Sequence, residues 1–370
     1  MTKSDNKQKP GRVLVLDGNQ FSTLSIVRSL GRKNIQVTVG VIENSHPGIA
    51  TYSRYCKQLV TYADPLVNPQ KFVEDIIAIV SRNSFDLMIP VTENTALPLA
   101  KQRAAIEPYC RLALPDNASL ELAIDKNRTF EIAAEENVPV PIGITVNNLS
   151  ELSGLTRDMQ YPVVVKPSRS VAETSHAART KLNVQYAFNE QELIEKCSGI
   201  LRYTPVILQE YFRGDGVGVE VLASHGEIVL VFQHQRLHEF PLTGGGSTLR
   251  QSVAVNPQLL EHSKRLIKRL NWHGVAMLEF KYNATTGQCR LMEINGRFWG
   301  SLPLAVAAGA DFPYALFSML ASGIVPVDTG YQTGRLNRKL KDDLYWLLVV
   351  LFRRDNNPLI IWPSFSHILA

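Results

Sequence analysis

The stretch VAMLEFKYNATTGQCRLMEINGRFWGS, Val275 to Ser301, decides how this chain is read. Its first eight residues alternate: Ala276, Leu278 and Phe280 fall on one face of an extended strand, and Met277, Glu279 and Lys281 on the other. Asn283–Gly287 is turn-forming, and Gln288–Ile294 returns as the partner strand. Met292 and Ile294 are expected on the core side, with Glu293, Asn295 and Arg297 opposite. Glu279 is then predicted to face Glu293 across the pair. Two carboxylates and an amide oxygen make a hard oxygen site. Such a site suits magnesium, with manganese as the alternative, and the ion would take its remaining ligands from water and phosphate. Arg297 adds a planar cationic fork for a phosphoryl group or carboxylate. The competing reading is a surface hairpin with solvated charges. Against it, the polar residues of 293–301 sit among large apolar ones such as Phe298 and Trp299.

Working outward, Pro257–Leu270 reads as an amphipathic helix. Val206–Phe212 reads as a strand, Gly214, Gly216 and Gly218 as a bend, and Val219–Ala223 as the next strand. Tyr161–Lys166 is a strand that ends on a lysine. Leu120–Asn137 is helical, with Asp125 and Lys126 inside it or at a break. The prolines of Val138–Ile142 fix φ and remove donors, so the helix stops there. Nearer the N-terminus, the strand Arg12–Leu16, a helical pattern through Leu24, Val27 and Leu30, and the strand Gln36–Val41 open a parallel sheet. The helix Phe72–Val80 and the strand Leu87–Val91 extend that lobe to about Pro115. The turn Asp17–Phe21 contains no GxGxxG, so no dinucleotide site is expected.

The 370 residues suit two or three fused lobes. The chain is 45% hydrophobic and 20% charged, with a formal net charge of +5. That is too mild for a nucleic-acid binder. Cys56, Cys110, Cys197 and Cys289 form no CxxC pair, so neither zinc nor a disulfide framework is expected, and a cytoplasmic location is. Residues 1–11 read as a flexible tail without a signal peptide. Leu344–Phe352, followed by Arg353 and Arg354, is too short to span a membrane. It reads as a buried C-terminal helix, against the alternative of a helix that touches a membrane or a partner protein.

The sequence Glu293-Ile-Asn295-Gly-Arg297-Phe-Trp resembles the E-x-N-x-R metal motif of the ATP-grasp superfamily, close to its EINPRFWGS form with Gly296 in place of proline. Other segments follow in family order. Asp125-Lys126 with Val138-Pro-Val-Pro resembles the entry to the nucleotide lobe. Pro162–Pro167 resembles the strand whose lysine reaches the ATP phosphates. Leu208–Asp215 resembles the adenine hinge. Arg236–Thr248 resembles the loop upstream of the metal hairpin, R-x-x-E-x-P-x-x-G-G-x-S-T. The lid Ser168–Lys181 departs from the family in having no glycine; it carries Ser168, Ser170, Thr174, Ser175, Arg169 and Arg179 instead.

The resemblance, over about residues 12–325, implies an α/β and α+β ATP-grasp fold behind an N-terminal open parallel α/β domain. The divisions it implies are a tail at 1–11, the N-terminal domain at 12–118, a small lobe with its lid at 119–207, a metal and nucleotide lobe at 208–330 and a helical tail at 331–370. It implies magnesium held by Glu279, Glu293 and Asn295, and phosphates met by Lys126 and Lys166. Adenine would lie at Gln209, Glu210, Tyr211 and Phe212, ribose at Asp215, and an anion at Gly245 and Ser247. Arg297 and Glu293 would serve catalysis. The implied chemistry is ligation of a small-molecule carboxylate to an amine through an acyl-phosphate. Carboxylation, kinase chemistry and a non-catalytic nucleotide binder share the same residues. A homodimer fits the family. Glu93 and Asn94 either line the acceptor side or form a solvated turn.

Overall fold

A computed structural model describes residues 11–155, 159–169, 171–173, 179–240, 242 and 246–352. The chain opens as β1 (Arg12–Val15), α1 (Phe21–Arg32), β2 (Gln36–Ile42), β3 (Cys56–Tyr62), α2 (Pro69–Arg82), β4 (Leu87–Ile89), α3 (Glu93–Lys101), α4 (Arg103–Ile106) and β5 (Arg111–Leu112). The five strands form a parallel sheet in the order β3-β2-β1-β4-β5. Val13 and Val15 pack with Ile26, Val27 and Leu30 of α1, while Leu14 and Leu16 pack with Phe72, Ile76 and Val80 on the other face. Both faces are covered, which is why β1 and β4 read as unbroken apolar runs. The helix α2 starts where Asn68 accepts from the Lys71 N–H and Pro69 takes the first helical position.

Two helices follow, α5 (Asn117–Ile124) and α6 (Lys126–Glu135). Of the two readings of Leu120–Asn137, the structure has the break: the helix is interrupted at Asp125, whose carboxylate caps α6 by accepting from the N–H groups of Asn127 and Arg128. Next come β6 (Gly143–Val146), β7 (Val163–Pro167), β8 (Val171–Glu173), β9 (Arg179–Lys181), β10 (Gln185–Ala187), α7 (Glu190–Leu201) and β11 (Val206–Glu210). A four-stranded antiparallel sheet, β10-β7-β11-β6, packs on α7, and β8 pairs with β9 as a separate ribbon.

The remainder is β12 (Asp215–Ser224), β13 (Glu227–Phe240), β14 (Gly246–Ser252), α8 (Pro257–Arg269), β15 (Gly274–Tyr282), β16 (Cys289–Asn295), α9 (Leu302–Ala308), α10 (Phe312–Ser322), β17 (Leu336–Arg338) and α11 (Leu340–Phe352). Its antiparallel sheet runs β16-β15-β12-β13-β14-β17. One face packs on Leu259, Leu266 and Ile267 of α8. The other shares a core with α9, α10, α1 and β1, which joins the large sheet to the N-terminal one. The whole is a mixed α/β protein with one parallel and several antiparallel sheets.

Four sequence expectations change. Gly216 and Gly218 lie inside β12, not in a bend. A Cβ on Gly218 would come within 2.4 Å of the His234 ring, and one on Gly216 within 2.6 Å of Arg236 Cδ, so these glycines admit neighbouring side chains. Arg236–Phe240 and Gly246–Thr248 belong to the paired strands β13 and β14, not to a loop. A register shift after Glu279 makes Met292 the extra residue of a bulge; Leu291 and Ile294 take the core positions, and Met292 is only half-buried. Finally, α11 is buried on one side only. Trp346 stacks on His238 at 3.5 Å between centroids, and Asp343 accepts from Thr248 Oγ1 at 2.7 Å, while Leu344 and Leu348 are exposed.

Among the described residues no single helix is long and apolar enough to cross a membrane. The bent pair α9 and α10 passes on length and composition only, and it is built into the shared core.

Candidate functional site

The pairing of β15 with β16 sets Glu279 opposite Glu293 and Met277 opposite Asn295. Around Glu293 the polar groups interlock. Asn295 Nδ2 donates to Glu293 Oε1 at 3.0 Å, and Lys126 Nζ stands 3.8 Å from Glu293 Oε2. Arg297 Nη2 donates to Asn295 Oδ1 at 2.9 Å and to Glu93 Oε1 at 3.1 Å, and Nη1 donates to the Phe298 carbonyl at 3.0 Å. Arg297 Nε is buried without a hydrogen-bond partner. Lys126, Glu93, Glu293, Asn295 and Arg297 line one recess, floored by Leu120, Ala123 and Ile294. Burial pushes the Glu293 carboxyl up, but Lys126, the Asn295 amide, Arg297 and Lys166 outweigh it and hold the carboxyl below its ordinary range.

Lys166 ends the apolar run of β7 and is buried. Burial, with Lys126 adding repulsion, lowers its ammonium to about 8 despite Glu293 and Glu279 nearby. A lysine so placed is a desolvated point charge next to carboxylates, the setting in which a phosphate gains most from it.

Glu279 is held by a residue to which the sequence reading gave no role. Arg236 Nη2 contacts Glu279 Oε2 at 2.5 Å, and Arg236 Nη1 contacts Glu239 Oε1 at 3.3 Å. Lys281 Nζ stands 3.8 Å from the other Glu239 oxygen. Burial disfavours the Arg236 charge, but Glu279 and Glu239 more than compensate and hold it firmly on. Arg236 and Glu239 were visible as the R-x-x-E of the quoted motif; reading that motif as a loop hid their place on β13, where register shifts break the alternation and let residues three apart meet.

The hinge residues divide. Gln209 is buried in β11, and neither its Oε1 nor its Nε2 has a hydrogen-bond partner. Glu210 is tied into the structure: its Oε1 accepts from the Ile142 N–H at 3.1 Å and from Arg290 Nε at 3.2 Å. The Arg290 guanidinium lies 4.8 Å over the Phe212 ring, and Tyr211 packs edge-on to Tyr186. Asp215 is exposed at the start of β12 and accepts from Gln235 Nε2 at 2.9 Å. Ser247 is buried with its hydroxyl donated to the Leu249 carbonyl. Gly245, Ser170, Thr174 and Ser175 lie outside the described residues. Arg169 is engaged by Glu121 and, at 3.2 Å, by Asp125, which ties the residues just past β7 to the α5–α6 break.

Glu93 and Asn94 form the first turn of α3, not a free turn. The start of that helix is fixed by Asp17, which follows β1. Its carboxylate accepts from the N–H groups of Val91 and Thr92 at 3.0 and 2.8 Å, and from Thr92 Oγ1 and Thr95 Oγ1 at 3.1 and 2.7 Å. Burial nevertheless raises the Asp17 carboxyl above its ordinary value.

Residues 202–338 match the family model described as ATP-grasp in the biosynthetic pathway with Ter operon. The carbamoyl phosphate synthase large chain of Clostridium acetobutylicum is 20% identical over 249 residues, which is 65% of this chain but only 22% of that much longer protein. Among solved structures, biotin carboxylase from Campylobacter jejuni aligns with TM-score 0.69 at 15% identity, over 89% of this chain and 74% of its own. N5-carboxyaminoimidazole synthetase from Staphylococcus aureus aligns with TM-score 0.68 at 16% identity, over 95% and 88%. L-amino acid ligase from Bacillus licheniformis aligns with TM-score 0.66 at 15% identity, over 89% and 79%. The chain thus has the fold of these ATP-grasp structures, and its residues 202–338 match an ATP-grasp family model.

Proposed function

We propose that this protein is an ATP-dependent ligase that activates a small-molecule carboxylate as an acyl-phosphate and joins it to an amine, working in the cytoplasm. The observation that carries the reading is the facing pair Glu279 and Glu293 with Asn295 and Arg297 beside it. This donor set is all hard oxygen and fits magnesium. The nucleotide also finds a fit: the unpartnered buried amide of Gln209 offers a donor and an acceptor of the kind an adenine edge needs. Two likenesses lean the same way, since one solved neighbour is named a biotin carboxylase–β,γ-ATP complex and another an amino acid ligase.

In this reading Glu279, Glu293 and Asn295 hold the metal, which would supply charge neutralisation on the phosphates. Lys126 and Lys166 neutralise the remaining phosphate charge. Gln209 meets the adenine, the rings of Tyr211 and Phe212 wall it, Glu210 fixes the hinge through Arg290, and Asp215 lies on the ribose side. The anion role is assigned to Ser247 together with Gly245, which lies outside the described residues. A carboxylate oxygen of the substrate attacks the γ-phosphorus, the bond to the β,γ-bridging oxygen breaks, and ADP leaves. Arg297, braced by Glu93, stabilises the charge that develops on the transferring group. The amine then attacks the acyl carbon, the carbon–oxygen bond to phosphate breaks, and phosphate departs as the nitrogen loses its proton. The chain is proposed to divide at about residues 118, 207 and 330.

The test is a phosphate-release screen over amino acids and other small carboxylates, each with and without amine partners, with products read by mass spectrometry. Release that needs both partners and yields an amide supports ligation. Release with bicarbonate and one acceptor supports carboxylation instead, and no turnover with intact nucleotide binding supports a non-catalytic binder.

A further inference from the structure

Arg250 of β14 is 3% exposed, yet among the described residues no carboxylate pairs with it. Its Nε donates to Asn337 Oδ1 on β17 at 3.1 Å, and Nη1 and Nη2 have no hydrogen-bond partner among the described residues. The arginine opposite is treated differently. Arg236 faces Arg250 across β13 and β14, is neutralised by Glu279 and Glu239, and has its charge held on. Burial instead lowers Arg250 to about 10, with Arg236 adding repulsion that Glu220 and Asp342 do not offset. Lys339, just past β17, is half-buried, and its Nζ meets no carboxylate among the described residues. Its backbone N–H donates to the Thr248 carbonyl at 2.8 Å, which seats it beside β14. Burial, and then Arg250, disfavour its charge, and Asp342 offsets only part of that.

A guanidinium is rarely buried without an anionic partner, because desolvation penalises its charge. The place of Arg250 in the sheet says what completes it. The residues proposed to hold ribose and metal lie on β12, β15 and β16, on one side of β13; β14 and β17 lie on the other. Arg236 and Arg250 are cross-strand neighbours, so Arg250 shares the face on which Arg236 meets Glu279. Three strand spacings of about 4.8 Å separate β14 from β15, about 14 Å between backbones. The long side chains of Arg250 and Glu279 close part of that gap, and a small substrate beside the metal can fill the rest. A planar fork with its Nη groups unused grips a carboxylate in a bidentate pair, and a lysine beside it adds a point charge.

We propose that Arg250, with Lys339 beside it, binds a carboxylate that the substrate pair carries in addition to the one that is activated. The substrate class in this proposal rests on the proposed ligase reaction. The carboxylate belongs to the unactivated end of a dicarboxylic acid or to an amino acid that supplies the amine. Asn337 orients the fork through Nε and leaves Nη1 and Nη2 for the ligand. No bond forms or breaks at Arg250; it selects the substrate by charge and holds it at a set distance from the metal.

The test reads binding without turnover, by calorimetry and thermal melts of the full chain with magnesium and ADP. The probes are glutarate and alanine, with butyrate and ethylamine as the counterparts that lack the extra carboxylate. Glutarate or alanine should bind, and its counterpart about tenfold more weakly. Arg250→Met should weaken that probe about tenfold or more and leave ADP binding within about twofold. The unliganded variant should melt at the same temperature or higher, since a buried unpaired charge has been removed. Arg250→Lys keeps the charge but loses the fork, and should weaken the probe about threefold or more. The probe whose advantage over its counterpart vanishes in Arg250→Met names the source of the carboxylate. Wild-type protein that binds neither probe overturns the proposal. So does a lower melting temperature of Arg250→Met with unchanged probe binding, which makes Arg250 a strut for β17. Tighter binding of inorganic phosphate than of either probe, lost in the same variant, overturns the carboxylate assignment. Probe binding that depends on Arg250, with no phosphate release from any acid and amine, removes the ligase reaction and supports the site. Release that Arg250→Met leaves unchanged removes the site and keeps the reaction.

Discussion

Glu93 and Arg297 lie 204 residues apart in the chain and meet at 3.1 Å. The contact joins the first turn of α3, beside the N-terminal sheet, to Arg297, two residues past the end of β16. The N-terminal lobe thus forms a wall of the site, and Asp17, by holding Val91 and Thr92 just ahead of α3, sets where that wall stands. With Nη1 and Nη2 both engaged, the Arg297 guanidinium is fixed in orientation before any substrate arrives.

Loss of this brace should act on the acceptor and spare the nucleotide. Glu93→Ala is expected to lower kcat/KM for the carboxylate by about 10- to 100-fold and to change KM for ATP by about twofold or less. Steady-state kinetics with each substrate varied in turn measures this. An equal loss for both substrates would remove Glu93 from the acceptor side.

The pair Glu279 and Glu293 should carry the metal dependence. Glu293→Gln keeps the shape and removes the charge, so turnover should fall about 100-fold or more while the fold persists. Circular dichroism with a magnesium titration of activity reads both effects. Normal turnover with an unchanged magnesium requirement is the outcome that contradicts the metal assignment.

Lys166 predicts a pH effect whose sign is fixed by burial. Its ammonium is lowered from the ordinary 10.5 to about 8, so in the free enzyme it loses its charge as pH rises through about 8. KM for ATP should therefore climb above about pH 8, and Lys166→Arg should flatten the climb. The same shift acts on folding. Between about 8 and 10.5 the unfolded chain holds the proton more tightly than the folded one, so this group's contribution to stability rises with pH across that window and its cost is full below it. An ATP KM that does not change from pH 7 to pH 9 would mean that Lys166 does not meet the phosphates.

Gln209 offers a test of opposite sign for stability and binding. Gln209→Met removes a buried amide whose two polar atoms have no partner. The unliganded protein should melt at the same temperature or higher, while ADP binds about tenfold more weakly. Calorimetry and thermal melts decide it, and unchanged ADP affinity would move the adenine elsewhere.

The tail is expected to be part of the folded body through its inner face. Asp343→Ala leaves His238 and Arg338 without their shared carboxylate and should destabilise the protein by about 3 kcal/mol in chemical denaturation. A loss below about 1 kcal/mol would mean that α11 is not anchored there.

Much of this was legible in the sequence wherever a pattern had one physical cause. The facing of Glu279 and Glu293 follows from two-residue alternation and a short turn. The buried strands β1 and β4 follow from unbroken apolar runs. What stayed hidden had mixed causes. β3, CKQLVTY, is an edge strand with mostly exposed side chains, so hydrophobicity did not announce it. Gly216 and Gly218 looked like a bend because glycine usually serves backbone freedom; here it makes room for Arg236 and His234. The role of Arg236 depends on pairing across β12, which no local window contains. The run Leu344–Phe352 shows apolar content, but only the packing of Trp346 on His238 reveals which side faces inward.

The central claim is that a carboxylate attacks the γ-phosphate, and its oxygen records the event. With a carboxylate substrate found by the phosphate-release screen and labelled with oxygen-18, turnover in the presence of the amine should deliver one labelled oxygen to inorganic phosphate and none to ADP. Unlabelled phosphate, or label found in AMP, would contradict the account.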